Sequence, residues 1–180
     1  MIRRFGKYLE RKGLQLNAEK SKVLIFHKGR GKKKREEWGW QGLSLEEVKE
    51  FKYLGYNFQK NGGREMHVRE VIKKARIAMA QIWGIGQRMF KKNFDRRMRI
   101  FRSIVTSILL YAAEIWGWME SEKVEKIQEK YIRWTLGLDF NTPAYLILEE
   151  TKTDKVRIEA GKRAIKYEEK AKRLNKNKIV

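Results

Sequence analysis

The spacing of apolar residues changes at Asn61-Gly62-Gly63, a run of residue types that is typical of turns. Before this turn, apolar and polar residues alternate over short stretches, as they do in strands with one buried face. After it, apolar residues recur every three or four positions, as they do in helices that face a core. The sequence therefore predicts an α+β chain with a small, mainly antiparallel sheet and one helix over residues 1–60, followed by a helical bundle over residues 64–180.

In the first part, apolar residues at helical spacing predict a helix over residues 2–12 that ends at Gly13. Strands are predicted at 23–26 and 38–41. The stretch 47–58 is read as one further extended strand. On that reading Phe51, Tyr53 and Asn57 face one side, and Leu54, Tyr56 and Phe58 face the other.

In the second part, the spacing predicts helices over 68–90, 94–119 and 121–137, a short helix after Thr142-Pro143, and a last basic helix from Thr153 to about Arg173. The helix over 94–119 is expected to bury one continuous seam, formed by Met98, Phe101, Val105, Ile108, Ala112, Ile115 and Met119. Glu114 falls inside this apolar region, where an ion pair with an arginine is expected and a catalytic role is the alternative.

The chain carries 43 Lys and Arg against 22 Asp and Glu, a formal net charge of +21. So large an excess repels itself, and a polyanionic partner would relieve the repulsion. Nucleic acid is the first candidate partner. The alternative is a basic protein without a polyanionic partner.

Several chemistries find no support in the sequence. Without cysteine there are no disulfides, thiol nucleophiles or zinc fingers, and an intracellular location is expected. The longest apolar run, residues 108–113, is too short to span a membrane. His27 and His67 stand apart from other metal ligands, so we expect no metal site and place both on the surface. The basic loop at 29–35 is either a phosphate-contacting or localisation patch or a solvated hairpin tip.

Four segments read together resemble a known family. Residues 13–17 with 19–23 resemble the fourth polymerase motif of reverse transcriptases from non-LTR (LINE-type) retrotransposons, and 51–55 resemble the primer-grip motif that follows it. Residues 110–116 and 133–137 resemble the helical segment beyond the palm in the same elements. The order of the segments agrees with the family and extends over nearly the whole chain.

The resemblance implies a C-terminal palm fragment followed by a thumb-like region of an RNA-directed DNA polymerase, located in the nucleus if functional. Its partners would be an RNA template, a DNA primer and the upstream polymerase and endonuclease regions. The complete polymerase would use Mg²⁺ held by palm aspartates. Those motifs should precede residue 1, and the first aspartate of this chain is Asp95. Two-metal catalysis needs such carboxylates, so this chain alone is expected to bind no cofactor and to be inactive.

The resemblance also implies roles for individual residues. Lys20 or Lys22 would be the motif lysine beside the incoming triphosphate, and Tyr53, Leu54 and Gly55 would form the primer grip. The alternatives are a solvated turn residue for either lysine and core packing for Tyr53 and Leu54. The thumb-like helices would hold template–primer phosphates through Arg69, Lys73, Arg76, Arg97 and Arg102. The alternatives are a free-standing, non-catalytic nucleic-acid-binding module, or an inactive decayed copy of a retroelement.

Overall fold

The computed structural model describes residues 2–26 and 37–176, which form a mixed α+β structure. The chain divides into two compact units, residues 1–67 and residues 68–180, and the division falls within a long helix. The basic loop at 29–35 and His27 lie outside the described residues.

In its described residues, the first unit contains one helix and five short strands in two sheets. They are α1 (Ile2–Arg11), β1 (Lys22–Leu24), β2 (Trp38–Trp40), β3 (Leu43–Val48), β4 (Glu50–Tyr53) and β5 (Tyr56–Gln59). The larger sheet has the order β1-β3-β2, in which β1 runs parallel to β3 and β2 antiparallel. The smaller sheet is the antiparallel pair of β4 and β5. Where the sequence predicts one mainly antiparallel sheet, the structure has two small sheets. One of the strand pairs, β1 with β3, is parallel.

The core of the first unit lies between α1 and the three-stranded sheet. Leu9, Trp40 and Leu45 are its buried side chains. Gly6 lets the helix approach the indole of Trp40, since a Cβ at this position would lie 2.9 Å from the ring. Phe5 adds an aromatic contact, with 6.3 Å between its ring centre and that of Trp40. The predicted first helix is confirmed, and it ends at Arg11 just before Gly13, whose φ is +63°.

The stretch 47–58 is not one strand, and that prediction is wrong. It includes the end of β3 and the hairpin of β4 and β5, in which Leu54 and Gly55 form the two-residue turn with φ values of +46° and +78°. Positive φ at both central residues is the requirement of a type I′ hairpin turn. The register pairs Phe51 with Phe58 and Tyr53 with Tyr56, so all four aromatic residues share one face of the hairpin.

The described residues of the second unit form helices and the segments that connect them. The helices are α2 (Glu65–Met89, which begins in the first unit), α3 (Phe94–Phe101), a π-helical turn (Arg102–Thr106), α4 (Ser107–Leu109), α5 (Ala113–Trp116), α6 (Glu122–Leu136), α7 (Ala144–Glu150) and α8 (Val156–Lys176). Their shared core includes Phe101, Leu109, Tyr131, Ile132 and Ala164. The rings of Phe101 and Tyr131 stack at 4.6 Å between centres.

The single helix predicted over 94–119 is broken. Ala112 has a left-handed backbone, with φ of +56°, and the indole Nε1 of Trp116 donates to the carbonyl of Tyr111, 3.0 Å away. The π-helical turn also adds a residue to the helical register. Beyond Val105 the buried positions are therefore not the predicted ones but Leu109, Leu110, Ala113 and Trp116, while Ile115 and Met119 are exposed.

Two ionisable residues differ from their predicted environments. His67 is buried, with 1 % of its surface exposed, because its ring lies against Tyr56 at 4.3 Å between centres. The prediction of a surface histidine is therefore wrong. Glu114 lies in the first turn of α5 and is partly exposed, so solvent can hydrate its carboxylate and the predicted ion pair is not needed.

Candidate nucleic-acid interface

Helix α2 carries a stripe of cations on its exposed face. Arg69, Lys73 and Arg76 follow one another at spacings of four and three residues, which places them on one side of the helix. Ile72, Ala75 and Met79 are buried on the adjoining face, which points toward the core. The apolar period that anchors α2 to the core therefore also fixes the direction in which these three cations point.

Helix α6 carries a second stripe of the same kind. Lys123, Lys126 and Lys130 are exposed at spacings of three and four residues. The inward positions of this helix are Val124, Ile127 and Tyr131, all of them buried. None of the three lysines is among the phosphate contacts predicted from the sequence, although their helical spacing beside a predicted apolar face is a signal that identifies them.

The two stripes line one surface, here called the basic groove. It comprises a cavity of about 440 Å³ and one of about 330 Å³, and both are bordered by Arg76 and Lys126. Its cations are Arg69, Lys73, Arg76, Lys123, Lys126, Lys130 and Arg133, and its apolar lining includes Ile72, Ile77 and Ile127. The carboxylate of Glu129 also borders it and lies 3.6 Å from Arg133.

Most of these cations are not neutralised inside the protein. Lys126 lies 3.6 Å from Glu122, on the surface of the same helix. Arg69, Lys73, Arg76 and Lys123 form no ion pair with any residue in the described part of the chain. Several unpaired cations around a concave surface create a positive potential that attracts phosphates.

An exposed aromatic residue borders one end of the basic groove. Phe140 lines the smaller cavity with 79 % of its surface exposed. Its loop is held in place because Arg133 donates from Nε and Nη2 to the carbonyl of Thr142, at 3.0 and 2.9 Å. Nearby, the ammonium group of Lys130 lies 4.5 Å from the ring centre of Trp134. Exposed aromatic rings beside cations suit the stacking of unpaired bases.

The structure brings together three of the five predicted phosphate contacts, Arg69, Lys73 and Arg76. Arg102 borders a different cavity. Arg97 is buried with 2 % of its surface exposed, and its guanidinium carbon lies 4.3 Å from the ring centre of Trp83. Arg97 is therefore a core residue. This corrects the prediction that its side chain is available to contact phosphates.

The core around Arg97 is aromatic and polar. The hydroxyl of Tyr131 donates to the main-chain carbonyl of Arg97, 3.3 Å away. Burial raises the pKa of Tyr131 above its ordinary value, and the neighbouring Arg97 offsets part of that rise. Tyr131 therefore stays protonated at neutral pH and keeps its donor role.

The predicted primer-grip residues lie at the tip of the β4–β5 hairpin. Tyr53 is 58 % exposed and Leu54 is 78 % exposed, so neither packs into a core. Tyr56, on the same face, is buried, and burial raises the pKa of its phenol. The hairpin therefore has an anchored aromatic base and an exposed tip.

The two candidate motif lysines have different environments. Lys22, in β1, forms an ion pair with Glu46, its partner in the parallel register with β3. Lys20 lies in the preceding turn, where its amide donates to the side chain of Asn17 at 3.1 Å and its own side chain is exposed. Of the two, Lys20 has the ammonium group that is more accessible to a ligand.

Within residues 2–26 and 37–176, no three His, Cys, Asp or Glu side chains cluster as metal ligands do. In the same residues, no helix combines the length and apolar character of a membrane span. Comparison of the chain with protein-family models, with curated proteins and with solved structures found no match in any of the three.

Proposed function

We propose that this chain provides primer-grip and template–primer binding as part of a non-LTR retrotransposon reverse transcriptase. The ordered motifs support the family, and the exposed Tyr53 and Leu54 are accessible in the way that a primer grip requires. The basic groove carries the binding part of the proposal, because its unpaired cations on α2 and α6 suit a phosphate backbone.

The phosphate contacts are tested by neutralising one lysine on each wall of the basic groove. Lys73→Gln combined with Lys123→Gln should weaken duplex binding and lower the slope of log K against log salt by about two. Lys74→Gln is the matched control, since Lys74 follows directly on α2 but pairs with Glu70 at 2.9 Å. If the double variant and the control lose equal affinity for the duplex, the basic groove is not the phosphate-binding surface.

The primer grip is tested by comparing affinity for a recessed primer end with affinity for a plain duplex. Tyr53→Ala should remove any preference for the recessed end, because the exposed ring can no longer pack against the primer. Tyr8→Ala removes another partly exposed tyrosine, on α1, and should leave the preference intact. A preference that survives Tyr53→Ala would argue against the primer grip.

The chain should show no polymerase activity by itself on primed RNA, because the resemblance assigns the metal-binding aspartates to motifs outside this sequence. Primer extension by the purified chain with Mg²⁺ is the measurement. Any reproducible synthesis would show that the catalytic carboxylates have been misassigned.

A second candidate function is that of a non-catalytic nucleic-acid-binding module. It is favoured by one observation, namely that residues of the second unit alone line the basic groove. This candidate predicts similar affinity for single strands, duplexes and primed templates. The reverse transcriptase proposal predicts that primed templates bind most tightly.

A further inference from the structure

A polar cavity of about 480 Å³ is lined by the π-helical turn, α6 and the start of α8, and it shares no lining residue with the basic groove. Four cations border it, namely Arg102, Lys152, Lys155 and Lys162. Two carboxylates, Asp154 and Glu159, also border it, and Glu159 is paired with Arg163 at 3.0 Å. The cavity therefore keeps an excess of positive charge.

Buried polar side chains also line this cavity. Gln128 is held by its donor bond to the carbonyl of Asp154 at 2.8 Å, and Thr153 bonds to Thr151. Thr106 is 6 % exposed, and its hydroxyl has no hydrogen-bond partner. A buried hydroxyl without a partner destabilises a fold unless a ligand or water supplies the missing bond.

Thr106 differs from other hydroxyls in the helices of the second unit. Ser103, Ser107 and Thr135 each donate to the carbonyl four residues earlier, at 2.8 to 2.9 Å. Thr106 ends the π-helical turn and makes no such bond. Turns of this kind are frequent at functional sites, because they displace side chains from the regular helical pattern.

Two further features concern the segment between α7 and α8 and the start of α8. Lys152 has φ of +48°, an unfavourable backbone for a lysine and a kind of strain that clusters at ligand sites. The first amides of α8, those of Val156 and Arg157, already donate to the carboxylate of Glu125 at 3.0 and 2.8 Å. A ligand would therefore meet side chains here, and not a free helix terminus.

We propose that this cavity binds the phosphate group of a phosphomonoester. Such a group carries nearly two negative charges and three acceptor oxygens, so it can take the Thr106 hydroxyl as a donor and the four cations as counter-charges. The cavity volume lies in the range of small-molecule sites, which leaves room for the rest of a phosphorylated sugar. The Asp154 carboxylate can accept hydrogen bonds from the sugar hydroxyls.

Ribose 5-phosphate and inorganic phosphate serve as probes, with binding measured by titration calorimetry and phosphorus NMR. Thr106→Val should weaken the affinity for both by roughly tenfold, because a donor to a charged oxygen is lost. The same change should raise the unfolding temperature of the free protein by about 2 °C, since it removes an unpaired buried hydroxyl. Thr106→Ser should keep the affinity.

The matched control is Thr135→Val, which removes a hydroxyl that is already paired. It should leave phosphate binding unchanged and lower the unfolding temperature. Tighter binding of ribose 5-phosphate than of inorganic phosphate would identify a phosphorylated sugar as the ligand, and equal binding would identify the phosphate alone. The proposal would be overturned if neither probe binds at a concentration of about 10 mM. It would also be overturned if the wild type and Thr106→Val bind the probes with equal affinity. Duplex binding in the basic groove should be unaffected by either threonine change.

Discussion

At the scale of single residues, Arg97 shows how burial can reverse the role that its residue type suggests. Its guanidinium lies over Trp83, and its Nε and Nη2 atoms have no hydrogen-bond partner in the described structure. A desolvated cation–π contact contributes about 2 kcal/mol, whereas burying a charge costs several kcal/mol. On these magnitudes we expect the guanidinium to cost more electrostatic free energy than it returns, although its aliphatic part packs in the core.

Arg97→Met tests this balance, because methionine keeps much of the aliphatic volume and removes the charge. We expect the free energy of unfolding to be unchanged or to rise by up to about 2 kcal/mol. Urea unfolding is the measurement, and Arg97→Ala, which leaves a cavity, should destabilise the fold. A loss in the methionine variant as large as that in the alanine variant would show that the guanidinium contributes stability. Affinity for nucleic acid should not change.

Glu125 is a second buried charge, and it joins α6 to α8. Its two carboxylate oxygens accept the amides of Val156 and Arg157. Desolvation raises the pKa of Glu125, and the two amide bonds offset only part of the rise. A raised pKa in the folded state means that the folded protein binds the proton more tightly than the unfolded chain does.

The resulting stability contribution is fully present below the usual pKa of 4.5 and is lost as the pH rises through the raised value. The free energy of unfolding of the wild type, minus that of Glu125→Gln, should therefore fall between about pH 4 and about pH 7. Urea unfolding of both proteins across this range is the measurement. A difference that stays constant or grows with pH would contradict the raised pKa.

At the scale of elements, the two hairpin turns in the described part of the first unit each use a non-glycine residue followed by glycine. Gln41 and Gly42 join β2 to β3 with φ values of +47° and +81°, and Leu54 and Gly55 join β4 to β5 in the same way. A left-handed backbone costs an ordinary residue about 1–2 kcal/mol, and asparagine tolerates it better. Leucine at an exposed turn is thus an unfavourable choice for stability.

Leu54→Asn should stabilise the protein by about 0.5–1 kcal/mol, because asparagine relieves the cost of the positive φ. Gln41→Asn makes the same exchange in the other hairpin and should act in the same direction. Thermal unfolding of both variants is the measurement. If Gln41→Asn stabilises the protein but Leu54→Asn destabilises it, the Leu54 side chain makes a stabilising contact that its 78 % exposure does not indicate.

The contact between α5 and α8 depends on small residues. Ala113, Ala160 and Ala164 are buried there, and Gly117 ends α5. A Cβ at Gly117 would lie closer to the carbonyl oxygen of Ala160 than van der Waals radii permit, and 2.6 Å from that of Ala113. Because both obstacles are backbone atoms, no side-chain movement can relieve the overlap.

Gly117→Ala should therefore destabilise the protein by about 3 kcal/mol. Gly161→Ala, within α8, is the matched control, because nothing lies within 4 Å of the added Cβ. The control should stabilise the protein by up to about 1 kcal/mol through helix propensity. Chemical denaturation of both variants is the measurement, and a harmless Gly117→Ala would mean that the two helices can separate without cost.

At the scale of the whole molecule, the charge imbalance dominates the electrostatics. Surface ion pairs such as Lys74 with Glu70 are each worth at most about 1 kcal/mol. They cannot offset the repulsion among 43 cations that face only 22 acids. Screening should therefore weaken repulsion more than it weakens attraction.

Raising NaCl from about 20 to about 300 mM should increase the unfolding temperature by several degrees, since the Debye length shortens below the spacing of many like charges. Differential scanning fluorimetry is the measurement, with an uncharged osmolyte as the control for excluded volume. A decrease in unfolding temperature with NaCl would show that the ion pairs outweigh the repulsion.

The local pattern of the sequence determined the elements whose cause is local. The apolar period located α1, α2, α6 and α8, and Gly13 and Gly137 mark the ends of two of them with φ values of +63° and +69°. It also placed Arg69, Lys73 and Arg76 on one face of α2. These features depend on residues three or four positions apart, so their cause is visible in the sequence itself.

Only the tertiary structure decided the features that depend on distant partners. The β4–β5 register placed four aromatic residues on one face, and the left-handed Ala112 moved the buried seam of the following helix. Arg97 and His67 became core residues because rings from other segments cover them. The basic groove needed α6 beside α2. Packing free energy selects such arrangements, and spacing along the chain does not encode them.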